Sequence, residues 1–305
     1  MAAVVLGLAP IFLLIVLGHG LRVSRFVSDT FWPSAERLTY FLLFPALLVS
    51  STAKAELHGL DLAGMGAALA LAVLAIAGVT LALRRVVAAD GPGFTSVFQG
   101  AIRPNTYVGL AAAAALFGPE GTTLAAIGVV AVVPLVNMLS VAVMQRHANN
   151  AGGGLKATAL GIARNPLIGA VALGAVLNAA GLHRLPVVTP LLDILGAASL
   201  PIGLLAVGAG LDIPAARASS RSVMWASGFK LAALPLLTLA LATPLGVTGT
   251  ALAVAVLYNG LPCSASSYVL ARQMGGDHRL MAGIITVQTL TAVLTLPTLL
   301  LLLAA

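Results

Sequence analysis

Charge is scarce in this sequence. Asp, Glu, Lys and Arg make up 8% of its 305 residues, against roughly 25% in a soluble globular domain, so a water-soluble fold is excluded. Aromatic residues are also sparse, at 5%. A nucleic-acid surface needs stacking side chains among clustered basic ones, so no nucleic-acid partner is expected despite the net charge of +7. One cysteine, Cys263, leaves no intrachain disulfide and no multi-cysteine metal site. The five histidines, His19, His58, His147, His183 and His278, stand at the ends of apolar runs or between them. None therefore lies beside a buried serine, which argues against intramembrane serine-protease chemistry. No phosphate loop and no metal-ligand cluster is found, so no cofactor, no metal and no enzyme activity are expected. Nor does Met1-Ala-Ala carry a Lys or Arg ahead of its apolar run, so the first run is expected to be a retained helix, not a cleaved signal peptide.

What the chain has is apolar length: 60% of its residues are hydrophobic and its mean hydropathy is +1.06. A helix crosses a bilayer in about 20 apolar residues. Breakers and hydropathy together place ten spans, at about 3–21, 33–53, 62–85, 93–116, 121–144, 160–181, 188–211, 222–243, 247–271 and 279–304. The expected fold class is an all-α polytopic membrane protein. With the connections alternating sides, twelve of the 16 Lys and Arg residues fall on one side, from Arg22 to Arg279. Lys54 and Arg184 fall on the other, and Arg103 and Lys230 lie within spans. The positive-inside bias puts both termini outside the cytoplasm, and it accounts for the pI near 10.3 without an acidic partner.

The chain also repeats. Pro10, Pro45 and Pro104 are 35 and 59 residues apart, and Pro166, Pro201 and Pro262 are 35 and 61 apart. Gly18 and Gly174 follow the first proline of each set by eight positions, and Gly118 and Gly276 follow the third by fourteen. This register divides the chain into a first five-helix repeat at 1–148, a cytoplasmic linker at 149–158 and a second five-helix repeat at 159–305. Five is odd, so the second copy enters the membrane from the opposite face, an inverted repeat of the kind found in secondary transporters.

Such proteins place their site at mid-depth, where one span in each half is broken. The fourth span contains Ile102-Arg103-Pro104-Asn105-Thr106 and the ninth Asn259-Gly260-Leu261-Pro262-Cys263-Ser264. Proline suits the first position of a helix, so new helical halves are expected from Asn105 and from Cys263, with their N-termini aimed at the membrane centre. Two such N-termini form an anion site. Pro104 and Pro262 are thus the expected crossover positions, with Arg103, Asn105, Thr106, Asn259, Cys263 and Ser264 as candidate substrate contacts. Arg103 either meets the substrate or satisfies carbonyls freed from its own broken helix, and Cys263 is alternatively a small packing residue. The prolines at 10, 45, 134, 201 and 235 are expected only to kink their helices.

Four more polar residues fall within spans. Asp193 is either a coupling or gating group or an interfacial acid; Lys230 either attracts an anion, forms a structural pair or snorkels to the surface. Asn137 and Gln288 either line a pathway or bond between helices. Gly203, Gly208 and Gly210 permit close helix packing, within one chain or across a dimer.

Several of these motifs resemble the auxin efflux carrier family in its bacterial form. They are Phe44-Pro45-Ala46-Leu47-Leu48, Arg103-Pro104-Asn105-Thr106 followed by Gly109 and Leu116-Phe117-Gly118, Leu200-Pro201 with Gly208 and Leu211, and Leu261-Pro262 with Val269-Leu270-Ala271 and Gly276-Asp277. The resemblance implies two inverted five-helix repeats, as in plant PIN-type carriers and, more distantly, bile-acid sodium symporters. Helices 1, 2, 6 and 7 would form a scaffold, often dimeric, and helices 3–5 and 8–10 a transport domain with broken helices 4 and 9 crossing at the site. Asn105 would be the crossover asparagine that contacts substrate, in an elevator-type movement. The implied partners are a small organic anion, the lipid bilayer and a second copy of the chain, and the implied location is the bacterial inner membrane. A sodium-coupled symporter is the alternative, but the ninth-span stretch Tyr258-Asn259-Gly260-Leu261-Pro262-Cys263-Ser264 carries no Glu.

Overall fold

The computed structural model describes residues 2–55, 62–88, 90–148, 165–182, 185–217 and 221–304. The expected linker at 149–158, the start of the sixth span, and His58 and His183 lie outside them. Among the described residues the regular structure is helical, apart from one isolated two-residue bridge. Six helices are long and apolar enough to cross a bilayer, and shorter apolar helices stand at Pro166–Ala179 and Gly249–Asn259.

In chain order the main helices are α1 (Ala2–Val23), α2 (31–53), α3 (Leu62–Ala82), α4 (Gly91–Ile102), α5 (106–117), α6 (119–147), α7 (Pro166–Ala179), α8 (Val188–Ala209), α9 (Arg221–Ala242), α10 (Gly249–Asn259), α11 (Ser266–Met274) and α12 (His278–Ala304). Because such helices are apolar all round, hydrophobicity does not pick out the buried side. In α3 the buried stripe is Met65, Ala68, Leu69, Ala72, Val73, Ile76 and Ala77, while Leu71, Leu74, Val79 and Leu81 point outward. Several hydroxyls inside helices bond to the carbonyl one turn back, as Thr80 does to Ile76, Thr238 to Leu234 and Thr289 to Ile285, which satisfies those donors in an apolar setting.

No loop separates the fourth and fifth spans. Gly118 turns the chain between α5 and α6 at φ 59°, ψ −145°, a region open to glycine and closed to side-chain-bearing residues, and Pro119 opens the next helix. Two prolines do more than kink. Pro45 and Pro235 each follow a five-residue π-helical turn, Thr39–Leu43 in α2 and Phe229–Ala233 in α9. Proline lacks the N–H that would close the preceding turn, and the wider turn absorbs the missing bond. Such turns mark functional positions in many helices, and here they carry Tyr40 and Lys230.

Helices α1, α2, α7 and α8 pack against one another, and α3, α6, α9 and α10 form a second packed group. Two glycines bring α1 and α8 into backbone contact: a Cβ on Gly18 would stand 2.1 Å from the Leu205 carbonyl oxygen, and one on Gly208 would stand 1.8 Å from that of Ile15. Gly208 therefore serves an internal interface. Arg22 of α1 donates to the Ala209 carbonyl at the end of α8, and Asn178 of α7 donates to the carbonyls of Thr52, Ala53 and Ala55 where α2 ends. Both bonds satisfy terminal acceptors that have no intrahelical partner.

The glycine contact is directly testable. Gly208→Ala forces α1 and α8 apart and should lower stability by about 1–3 kcal/mol, the cost of overpacking, read as a fall in the thermal unfolding midpoint in detergent. Gly20→Ala, whose Cβ would meet no atom within 4 Å, should be neutral or mildly stabilising.

Candidate functional site

The site is built where α4 and α10 stop in the middle of the protein. Arg103 precedes a proline, a placement that disfavours the helical conformation, and it is extended at φ −84°, ψ 118°. Asn105 is extended as well, and the chain becomes helical again at Thr106. Opposite, α10 ends at Asn259, and Gly260 to Ala265 are unwound before α11 begins at Ser266. The second half-helix thus starts three residues later than the proline alone suggests. Pro262 lies in the unwound stretch, not at a helical first position.

The two unwound stretches hold each other. Pro104 and Cys263 form an antiparallel bridge, and the Asn105 N–H donates to the Pro262 carbonyl at 2.8 Å. Gln288 of α12 clamps the crossing from behind. Its Oε1 accepts from the Cys263 N–H at 2.8 Å, and its Nε2 donates to the Gly100 carbonyl at 2.9 Å. On the far side Lys230, fully buried, donates to the carbonyl of Asn259 at 2.8 Å. A cation at a helix C-terminus is favourable for the dipole, so Lys230 does not snorkel.

The N-termini of α5 and α11 are less free than two bare helix ends. The Asn105 Oδ1 caps α5, accepting from the N–H groups of Tyr107 at 3.1 Å and Val108 at 3.3 Å. At α11, the Ser264 carbonyl accepts from Ser267 N–H at 3.0 Å and its hydroxyl from Ser266 N–H at 3.4 Å. The charge at the crossing comes mainly from Arg103. Its side chain reaches Gln99 Oε1 at 3.4 Å and Ser266 Oγ at 3.1 Å, its buried Nε has no partner, and no carboxylate among the described residues pairs with it. The Nδ2 of Asn105 is buried without a partner as well.

Both residues line a cavity of about 620 Å³, a volume suited to a small organic molecule. Arg103, Pro104, Asn105, Thr106 and Ser264 form one wall, and Asn137 and Val136 of α6 another. Glu36, Arg37, Tyr40 and Phe41 of α2, with Asn165 and Leu167 at the start of α7, close the third. Six of the twelve candidate residues are therefore gathered here: Arg103, Pro104, Asn105, Thr106, Ser264 and Asn137.

The other six do not line this cavity. Asn259 turns its Nδ2 away, to the Leu69 carbonyl and the Thr238 hydroxyl, and is fully buried. Cys263 is fully buried, with its thiol 3.3 Å from the Ser267 hydroxyl. Pro262, Gln288 and Lys230 belong to the frame of the crossing, and Asp193 stands elsewhere, bonded to Lys54 and Ser50. Sequence reasoning overlooked Glu36, Tyr40, Tyr107 and Asn165. Tyr107 and Asn165 carried a legible signal, one beside the Pro104 break and the other just before Pro166. Tyr40 is aimed by the π turn, and the only local trace of that turn is Pro45.

Residues 3–300 match a family model described as a membrane transport protein. No curated protein matches the chain.

Gln288→Leu keeps the bulk of the clamp but strands a buried N–H and a buried carbonyl. Each stranded group costs about 1–3 kcal/mol. The unfolding midpoint should fall clearly more for this change than for Asn137→Leu, which alters a half-buried cavity wall outside the crossing.

Proposed function

The chain belongs to the membrane transport protein family, that of the auxin efflux carriers, and on that premise we propose that it is a secondary transporter of an organic carboxylate, held at the crossing of the two broken helices. It is a multi-pass membrane transporter. The observation that carries the anion reading is Arg103: a buried guanidinium that faces a cavity and has no counter-ion among the described residues. An arginine at the bilayer centre costs at least about 2.5–3.5 kcal/mol on insertion scales. A carboxylate supplies the missing charge and fits the planar guanidinium fork. The free Nδ2 of Asn105 offers a second donor beside it.

In this reading the chain is two inverted five-helix repeats, ten helices in all, whose antiparallel bridge between Pro104 and Cys263 lies at the pseudo-two-fold. The α1, α2, α7 and α8 group is the scaffold and the dimer-forming part. The remaining helices carry the site past it in an elevator-type movement, exporting the anion across the inner membrane. The positive-inside bias faces the 620 Å³ cavity to the cytoplasm. Sodium coupling finds no support in the crossing, because both ends of Gln288 are engaged in the clamp.

A thermal-stability screen of mono- and dicarboxylates against purified protein tests the proposal, since a ligand that binds the folded state raises apparent stability. At least one carboxylate should raise the unfolding midpoint, and Arg103→Gln should abolish that shift. Uptake or efflux of the same compound in proteoliposomes should fall at least tenfold in Arg103→Gln and Asn105→Ala. A carboxylate that stabilises Arg103→Gln as strongly as the parent protein refutes the proposed site.

A further inference from the structure

A second cavity, of about 740 Å³, lies at the opposite end of the same helix interface. Leu47, Ser50, Ser51 and Lys54 of α2 border it, with Thr122 of α6 and Asp193 of α8. Its walls carry hydroxyls and an ion pair between Lys54 and Asp193, groups that water and polar solutes can meet.

The two cavities share their helices. Along α2 the last residue to border the first cavity is Phe41 and the first to border the second is Leu47. In the stretch that follows the crossover, Tyr107 borders the first and Ala114 the second. Those separations are six and seven residues, about 9–10 Å of helix at 1.5 Å per residue. Against a hydrocarbon core about 30 Å thick, the layer between the two cavities is about a third of the depth.

Phe44 fills that layer. It is fully buried, on α2 between the stretches that border the two cavities, and its ring lies flat on that of Tyr107 with centroids 4.7 Å apart and planes 9° from parallel. Gly203 of α8 backs both rings: a Cβ there would stand 3.4 Å from Tyr107 Cγ and 3.5 Å from the Phe44 ring. A Cβ at position 203 would thus rest in van der Waals contact with both rings. One ring comes from α2, the other from the helix that Asn105 caps.

We infer that the Phe44–Tyr107 stack, seated on Gly203, is the permeation barrier between two solute-accessible vestibules, and that the site beside Arg103 meets the second vestibule only when Tyr107 slides off Phe44. The barrier is a single aromatic layer between two cavities that each carry charged and hydroxyl side chains. Stacked rings resist water and anions because neither finds a hydrogen bond between them, and a flat ring face permits sliding without interlocked side chains. The inference concerns the path and not the substrate, so it holds whichever anion is carried.

Thiol accessibility tests it without a known substrate. The only native thiol, Cys263, is fully buried, so the parent protein serves as the unlabelled control. Leu47→Cys and Tyr40→Cys place one reporter on each side of Phe44 along one helix. Anionic sulfonatoethyl methanethiosulfonate is applied from the membrane face that labels Leu47→Cys. With Phe44 present, Tyr40→Cys should be shielded from that face and react from the other. Adding Phe44→Ala should raise its labelling rate from the Leu47 face at least tenfold, and adding Tyr107→Ala as well should raise it further. Leu47→Cys labels at an unchanged rate in the same backgrounds, which reports that the vestibule keeps its shape. The inference is overturned if Tyr40→Cys labels equally from both faces with Phe44 intact. It is overturned too if Tyr40→Cys stays shielded in the double ring deletion while Leu47→Cys remains reactive.

Discussion

Breaking a helix inside hydrocarbon frees backbone donors and acceptors that water cannot reach, and each one left bare costs several kcal/mol. The centre of this protein is arranged around that constraint. Two helices break at the same depth, and each break answers part of the other's need through the Pro104–Cys263 bridge and the Asn105–Pro262 bond. What remains is met by side chains held on neighbouring helices: Gln288 takes one donor and one acceptor, and Lys230 takes the carbonyl at the end of α10. A lysine and a glutamine with no solvent exposure are explained by this need alone.

Once the backbone is satisfied, the few polar groups that are not stand out. The side-chain amide of Asn105 is divided between two tasks. Its oxygen caps α5, so it holds the helix end in place, while its nitrogen is left free beside Arg103. One residue therefore ties the rigidity of the crossing to its capacity to bind. Ser264 likewise serves both, its carbonyl accepting from the Ser267 N–H at the start of α11 while the residue borders the cavity. On the proposed function, a carboxylate at Arg103 would meet groups whose positions are set by the fold before it arrives, and such preorganisation removes part of the cost of binding.

How much of this was legible in the sequence depended on whether a signal was local. Helix positions came from runs of apolar residues, and the crossing from Pro104 and Pro262, because a missing N–H acts on its own turn. The partition of polar residues between site and frame was not legible. Asn259 and Asn105 are chemically identical and flank equivalent breaks, yet one turns to Leu69 and Thr238 and the other to the cavity. That choice is made by helices distant in sequence. The first-cavity wall on α2 was missed for a related reason: the π turn at Thr39–Leu43 shifts which residues face inward, and periodicity counted at 3.6 residues per turn does not register the shift. The turn between α5 and α6 had a signal in Gly118-Pro119, but the positive φ at Gly118 requires a fold to be recognised.

The two packed groups of helices also differ in how they are joined. Within the first group contact is made by backbone on backbone, at Gly18 and Gly208, and such contacts fix position because no side chain can rearrange to let one helix pass. Between α2 and α5 the contact is a flat ring on a flat ring, Phe44 on Tyr107. Stacked rings lose little when displaced in their own plane, since offset arrangements are as favourable as centred ones. On the proposed elevator movement, a site that stays intact while its surroundings shift uses both kinds of joint, interlocked between α1 and α8 and smooth between α2 and α5.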